Sequence, residues 1–369
     1  MSREYQVCIR CVMDTSAADI VFAEDGTCNF CTDFLTAAHW QPPSPGALGR
    51  LAERVRKAGK RSQYDCLIGV SGGVDSSWVL HQAVALGLRP LAVHMDNGWN
   101  SELAQNNIAN LVRTLNVDLV THVVDWEEYR DLMQQLLDAD VVDVELLYDN
   151  AMLAVNYRTA ARFGIRYILG GTNAATEGIR MPVGWNWFKW DKRQIKYFAK
   201  ATSTGRLASF PAIGTLDYVW YRWGRKIDWL SLLDHMAYEK DVALRELQRL
   251  YQYKPYPYKH YESVFTRFYQ GFLLPRKFGI DKRRVHLAAL VTTGQLDRDI
   301  AMRMCDGIAY PDESSLEDDR EYFVKKMRWT DADLETYLAR PPRAHSEFPS
   351  EQGVWQRLDR IYRRMARSD

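Results

Sequence analysis

The chain reads as an α/β protein with a doubly wound parallel sheet, preceded by a small cysteine ribbon and followed by a mainly helical region. Three observations predict this: two Cys-x2-Cys pairs near the start, short apolar runs alternating with helical patterns between residues 65 and 170, and an aromatic-rich, helix-patterned remainder. With 369 residues, 47% of them hydrophobic and 26% charged, the chain has the composition of a folded protein. Its length suits about two domains.

The six cysteines stand at 8, 11, 28, 31, 66 and 305. Clustering of the first four argues against a disulfide scaffold. Cys8 and Cys11, then Cys28 and Cys31, form two knuckles separated by 16 residues, the spacing at which four thiolates close a tetrahedral Zn2+ site; an iron–sulfur cluster is the other occupant of such a ligand set. Asp14 and the turn Glu24-Asp25-Gly26 fit a hairpin between the knuckles. A closed four-cysteine site leaves no vacant position for substrate, so its expected work is folding or docking.

Gln41-Pro-Pro-Ser-Pro-Gly46 is turn-rich and ends the ribbon, residues 1–45, near position 45. Strands are expected over 65–70, 90–95, 119–124 and 166–169, with helices opening at Ser76, at Ser101 and near Tyr148. Strand–helix alternation builds parallel sheets, so a central α/β domain is expected over 46–180. Beyond it, six of the twelve tryptophans fall between Trp185 and Trp229 and the pattern turns helical, which predicts a mainly helical domain over 181–369 for substrate or partner contacts.

Lysine and arginine number 48 against 47 aspartate and glutamate, a net charge of +1. That lacks the basic excess of a sequence-independent nucleic-acid binder and disfavours a tRNA substrate. No apolar run reaches the roughly 18 residues that span a bilayer, and residues 1–6 lack the apolar core of a secretion signal. The expected compartment is the cytoplasm.

Ser71-Gly72-Gly73-Val74-Asp75-Ser76-Ser77 follows the apolar run 66–70 and opens a helix with Trp78, Val79 and Leu80. In that setting glycines let backbone N–H groups approach phosphate oxygens, the helix N-terminus adds positive potential, and serine hydroxyls donate hydrogen bonds. The loop is a polyphosphate cradle. It lacks the Lys-Ser/Thr ending of a kinase-like or GTPase-like phosphate loop. Asp75 offers the hard oxygen ligand that Mg2+ prefers where it bridges phosphates.

The string at 71–76 resembles the full signature of the PP-loop ATP pyrophosphatase superfamily. That resemblance implies an enzyme that binds ATP with Mg2+ and splits it to AMP and pyrophosphate, with Ser71, Gly72, Gly73, Asp75, Ser76 and Ser77 on the phosphates. It further implies nucleotide contacts from His94, Asp96 and Asn97 at the end of the second strand, and from Gly171, Thr172, Asn173 and Glu177 at the end of the fourth. Both segments close parallel strands, where ligands bind in open sheets.

Farther along, the blocks 259–270 and 275–284, together with the leading CxxC pairs, resemble the N-acetyl sugar amidotransferases of bacterial lipopolysaccharide O-antigen and related surface-glycan biosynthesis. Only the tryptophan density at 185–190 departs from that pattern. The resemblance implies that an acetamido group on a nucleotide-activated sugar becomes an acetamidino group. The amide oxygen attacks the α-phosphorus of ATP, ammonia adds to the resulting imidate-AMP, and AMP departs. Positioning and charge stabilisation dominate such chemistry. Asp75, Lys259, His260 and Arg267 are the candidate catalytic residues, with His260 as proton acceptor for the incoming nitrogen. Lys277, Lys282 and Arg283 would hold pyrophosphate or an acidic sugar nucleotide. On charge alone this cluster also fits a solvated helix face, and the spacing of Tyr261, Phe265, Phe268 and Phe272 describes a buried stripe anchoring that helix.

Glutamine hydrolysis needs a nucleophilic thiol. Ser2 follows Met1, four cysteines are assigned to metal, Cys66 falls in the first strand and Cys305 in a late helical segment. Ammonia is therefore expected from outside the chain, and the resemblance implies a separate glutaminase and a barrel-type ammonia-channelling subunit. Segment 353–369 carries Trp355, Leu358, Ile361, Tyr362 and Met365 on one helical face and Arg357, Arg360, Arg363, Arg364 and Arg367 around the rest, the pattern of a docking helix or of one packed on its own domain. A tRNA-thiolating PP-loop enzyme is the rival reading, for which only Cys66 and Cys305 are spare.

Overall fold

The computed structural model of the chain describes residues 4–36, 43–257 and 261–365, with side chains through 361. Five strands, β1 (Cys66–Gly69), β2 (Pro90–Asp96), β3 (Leu119–Val123), β4 (Tyr167–Gly170) and β5 (Asp228–Ser231), form one parallel sheet in the order β3-β2-β1-β4-β5. The four expected strands are β1 to β4, displaced by no more than a residue at either end. β5 is a strand that the sequence pattern does not predict. It is four residues long and lies in a stretch whose tryptophans and helical spacing mask so short a strand.

Period-2 alternation sorts the strand side chains between two cores. Leu67, Leu91, Val93, Met95 and Ile168 enter one apolar cluster, and Cys66, Ile68, Ala92 and Leu169 enter the other. Both faces of the sheet are thus covered, as a parallel sheet requires. The covering helices are α1 (Asn29–Thr36), α2 (Ala47–Gly59), α3 (Val74–Ala85), α4 (Glu102–Leu115), α5 (Trp126–Asp138), α6 (Leu146–Arg162), α7 (Ala174–Glu177) and α8 (Lys192–Ala199), followed by the C-terminal helices. Side chains that satisfy free N–H groups mark several starts: Ser101 Oγ accepts from Ala104 N–H at 3.2 Å and Asp125 Oδ1 from Glu128 N–H at 2.9 Å.

From β1 the chain runs through α3 to β2 and then β3, and it returns to the other side of β1 as β4. The carboxyl ends of β1 and β4 therefore flank a switch point, the place where an open α/β sheet leaves a crevice.

The cysteine ribbon is docked on the C-terminal helices. Arg298 donates to the carbonyls of Cys8 (2.8 Å) and Cys11 (3.1 Å), while Arg284 pairs with Asp14 at 2.9 Å and donates to the Val12 carbonyl at 2.8 Å. Cys8, Cys11, Cys28 and Cys31 share an apolar cluster with Val285, Leu287 and Ala288 of the helix Arg283–Thr292. The last helix, Gln352–Met365, lays Trp355 against Phe188, Trp190 and Tyr218 with ring centroids 5.5, 6.4 and 5.4 Å apart, and leaves Ile361 exposed.

Candidate active site

A cavity of about 1180 Å3 opens at the switch point. Its first wall is the loop between β1 and α3. Gly72 has φ +85°, a left-handed conformation, and a Cβ there would come within 2.8 Å of the Ala104 carbonyl oxygen, so only glycine fits. Gly73 N–H donates to Ser71 Oγ and Ser71 N–H to Ser76 Oγ, at 3.2 and 3.3 Å. Two tyrosines from beyond the sheet hold the loop from outside: Tyr253 and Tyr256 donate to the Gly72 carbonyl at 2.8 and 3.1 Å. Ser71, Gly73, Asp75 and Ser76 line the cavity, whereas Ser77 is buried.

Asp75 accepts a hydrogen bond from the Tyr238 hydroxyl. Burial and the Asp75 carboxylate hold that phenol well above its ordinary pKa, and Glu177 adds to the effect, so both carboxylates act on one point of the cavity. Hard oxygen donors of this kind fit Mg2+. Gly171 explains how β4 comes so near: a Cβ there would stand 2.9 Å from Ser76 N. Thr172 and Glu177 line the cavity. Asn173 does not, because its side chain caps α7, accepting from Thr176 N–H at 2.9 Å and donating to the Gly171 carbonyl at 3.0 Å.

The end of β2 differs from the expectation. His94 is buried, with Nδ1 on the Val70 carbonyl at 2.9 Å and Nε2 on the Asn100 amide at 3.0 Å, so its ring is spent on bracing the turn. Asp96 accepts from Gly98 N–H and Asn100, and buried Asn97 bonds Tyr129 and Trp99 N–H. These three shape the turn, and the cavity is lined instead by Val93, Met95 and Asn100. Alternation along the strand is the signal that separates the two sets.

The facing wall is charged and aromatic. Along α6 and its first flanking residue, Glu145, Tyr148, Asp149, Met152 and Asn156 follow helical spacing and all line the cavity. Lys282 pairs with Glu145 at 2.7 Å, and Gln270 donates to both Glu145 oxygens at 3.0 Å. Lys189 bridges Asp143 (2.5 Å) and Asp149 (2.8 Å). Behind them His345 Nε2 accepts from Asp143 N–H at 3.0 Å while Nδ1–H donates to Gln194 at 2.6 Å; burial drives its pKa down to about 4.

The cations expected here are thus sorted by their partners. Arg267 lines the cavity in an ion pair with Asp319, on a helix that begins at Val264 and continues as a wider coil over Tyr269–Phe278. The aromatic stripe of Tyr261, Phe265, Phe268 and Phe272 is buried. Lys282 lines the cavity. Arg283 reaches it too, but is held by Asp281 and by the carbonyls of Met304, Cys305 and Gly307. Lys277 is directed elsewhere: its Nζ is buried against Asp140 and the carbonyls of Tyr337 and Arg340. Lys259 and His260 lie outside the described residues, and the flanking Pro257 and Tyr261 both line the cavity. Glu145, Asp149, Lys189, Gln270, Tyr238 and Tyr253 carry no local signal in the sequence, since each acquires its place from a segment distant along the chain.

In the ribbon the thiols of Cys8, Cys11, Cys28 and Cys31 converge, with Sγ separations of 3.8 Å (Cys8–Cys31), 3.7 Å (Cys11–Cys28) and 3.7 Å (Cys28–Cys31). A tetrahedron with Zn–S bonds of about 2.3 Å has edges of about 3.8 Å, so the four thiols fit zinc.

The sheet is parallel, and its glycine-rich loop sits at the switch point, the arrangement in which an open α/β fold holds a phosphate-bearing ligand. Residues 262–362 match the family described as LPS biosynthesis protein WbpG-like, C-terminal domain. Solved structures similar to the chain include the NH3-dependent NAD synthetase of Campylobacter jejuni (19% identity, TM-score 0.28, 42% of this chain and 71% of that one) and NMN synthetase of Francisella tularensis (16%, 0.30, 58% and 98%). A third is the predicted subunit of a tRNA methyltransferase from Methanocaldococcus jannaschii (11%, 0.29, 50% and 73%). Overlaps this low say nothing about activity. No curated protein matches the chain significantly. Among the described residues, no helix is long and apolar enough to cross a membrane.

Proposed function

We propose that the protein is an ATP-dependent amidotransferase that converts the acetamido group of a nucleotide-activated sugar into an acetamidino group through an imidate-AMP. A separate glutaminase and a barrel-type channelling subunit would supply the ammonia. The observation that carries this reading is a single cavity that joins the phosphate cradle to a wall of carboxylates, lysines and tyrosines. An amide carbonyl is a poor electrophile, and the cradle supplies what activates it: backbone N–H groups and the Ser71 and Ser76 hydroxyls that orient the phosphates of ATP for attack at the α-phosphorus. Asp75 and Glu177 would hold Mg2+, which neutralises charge on the departing pyrophosphate. Arg267 and Lys282 border the acceptor side of the cavity, and Tyr148, Tyr256 and Tyr261 offer ring faces to a sugar.

The thiolation reading has less support. Cys66 lies fully inside the sheet, burial pushes the Cys305 thiol up to about 11, and neither lines the cavity. Reactive thiols need the opposite environment. Metal analysis is expected to find stoichiometric zinc; iron with visible absorbance would revive that reading.

The test is release of AMP and pyrophosphate with ammonium and a UDP-acetamido sugar, set against an unmodified tRNA transcript. The expected product is lighter than the sugar by about one mass unit, the difference between oxygen and NH. AMP formed with tRNA and not with the sugar would overturn the proposal.

A further inference from the structure

Replacing oxygen by nitrogen releases a proton, and the described cavity has a carboxylate placed to receive it. We propose that Asp149 accepts the proton lost by the attacking ammonia. This rests on the amidotransferase reading above. The proton balance follows from the chemistry. After the amide oxygen has bonded to the α-phosphorus and pyrophosphate has left, the imidate still carries its N–H and is cationic. Ammonia forms a C–N bond, and the C=N electron pair moves onto the original nitrogen. The new nitrogen, now an ammonium, gives one proton to the Asp149 carboxylate. That nitrogen pair then re-forms the double bond as the C–O bond breaks, and AMP departs with the bonding electrons. The product is an amidinium beside a protonated Asp149, which returns its proton to solvent before the next turnover.

Among Asp143, Glu145 and Asp149, geometry singles out the last. Both oxygens of Glu145 accept from Gln270, and one also pairs with Lys282. Asp143 is buried behind the wall, its Oδ2 taken by Lys189 and by Trp187 N–H. Asp149 lines the cavity, with about a third of its side chain (35%) accessible there, and Lys189 engages it through Oδ2. It stands two helical turns from Asn156, which is 3.2 Å from where a Cβ on Gly69 would lie, at the root of the cradle. Seven residues of helix span about 10 Å, room for a substrate amide between a phosphate in the loop and a base on the wall. Burial raises the Asp149 pKa, Lys189 opposes this, and Asp143 and Glu145 add to it, which makes the carboxylate a stronger base than an exposed one.

The experiment separates the two half reactions in Asp149→Asn, with Asp149→Glu and His260→Gln alongside. Sugar-dependent exchange of labelled pyrophosphate into ATP reports activation alone, and amidine formation with ammonium reports the nitrogen step. Asp149→Asn is expected to retain exchange near the wild-type rate while amidine formation falls by about 100-fold or more, with partial recovery in Asp149→Glu. Loss of both half reactions alike, as a sugar-binding or structural role would give, overturns the proposal. So does retention of both, or a nitrogen-step defect confined to His260→Gln. A wild-type protein that shows no sugar-dependent exchange would instead overturn the amidotransferase reading itself.

Discussion

In the cradle, the contacts inside the loop join neighbours: Ser71 meets Gly73 and Ser76, two and five positions away, while Tyr253 and Tyr256 brace the Gly72 carbonyl from a distant segment. Across the cavity the contacts join strangers. Glu145 meets Lys282 over 137 positions, Asp143 meets His345 over 202, and Lys189 reaches back 46 to Asp143. The first wall is preorganised largely by its own backbone. The second exists only when several segments arrive together, and each charge there depends on a partner that water no longer replaces.

Breaking the first wall should therefore destroy chemistry and spare the fold. Asp75→Asn or Ser76→Ala is expected to slow AMP formation by about 10²–10³-fold, with the urea midpoint unchanged. A midpoint that falls with the activity would show the cradle to be structural as well. Breaking an ion pair of the second wall should cost the fold as well. Lys282 and Glu145 are both almost buried, so Lys282→Met strands a carboxylate and is expected to cost about 3–5 kcal/mol in urea unfolding. Adding Glu145→Gln should recover most of that loss, and no recovery would mean that packing of the lysine stem matters more than its charge.

The same wall should respond to acid through His345. Its folded pKa, about 4, is below the ordinary histidine value of about 6.5, so the unfolded chain takes up a proton first as pH falls. Stability contributed by the neutral ring is complete above pH 7 and is lost as pH drops through 6.5 towards 4, by about 2 kcal/mol between pH 7 and pH 5. His345→Gln should remove that part of the slope in a series of urea titrations, and an unchanged slope would assign it to other groups. The smallest effect is expected at the tyrosines behind the cradle. Tyr253→Phe leaves the Gly72 carbonyl to Tyr256 and should cost about 1 kcal/mol, read in the same unfolding assay.

The same contrast sets how much of the molecule is legible in its amino-acid sequence. The SGGVDS loop and the cysteine knuckles are local patterns whose spacing is their geometry, and four strands of the sheet follow from alternation. The far wall is illegible for the same reason that it is fragile: nothing near Lys189 in sequence announces Asp143 or Asp149. Counting cations at 259–284 likewise cannot tell Lys282, which reaches the cavity, from Lys277, which is spent on Asp140 and two carbonyls. His94 and Asn97 mislead because they end a strand at the right height but belong to the side that braces the turn.

The claim that both walls serve one reaction is tested most directly by following the oxygen. A UDP-acetamido sugar carrying a heavy-oxygen label in its acetamido carbonyl should be incubated with ATP, Mg2+, ammonium and the protein, and the released nucleotide and pyrophosphate weighed by mass spectrometry. If the amide oxygen attacks the α-phosphorus, the label leaves the sugar and appears in AMP, in step with formation of the amidine. Unlabelled AMP beside a sugar that keeps its label, or release of ADP in place of AMP, would contradict it.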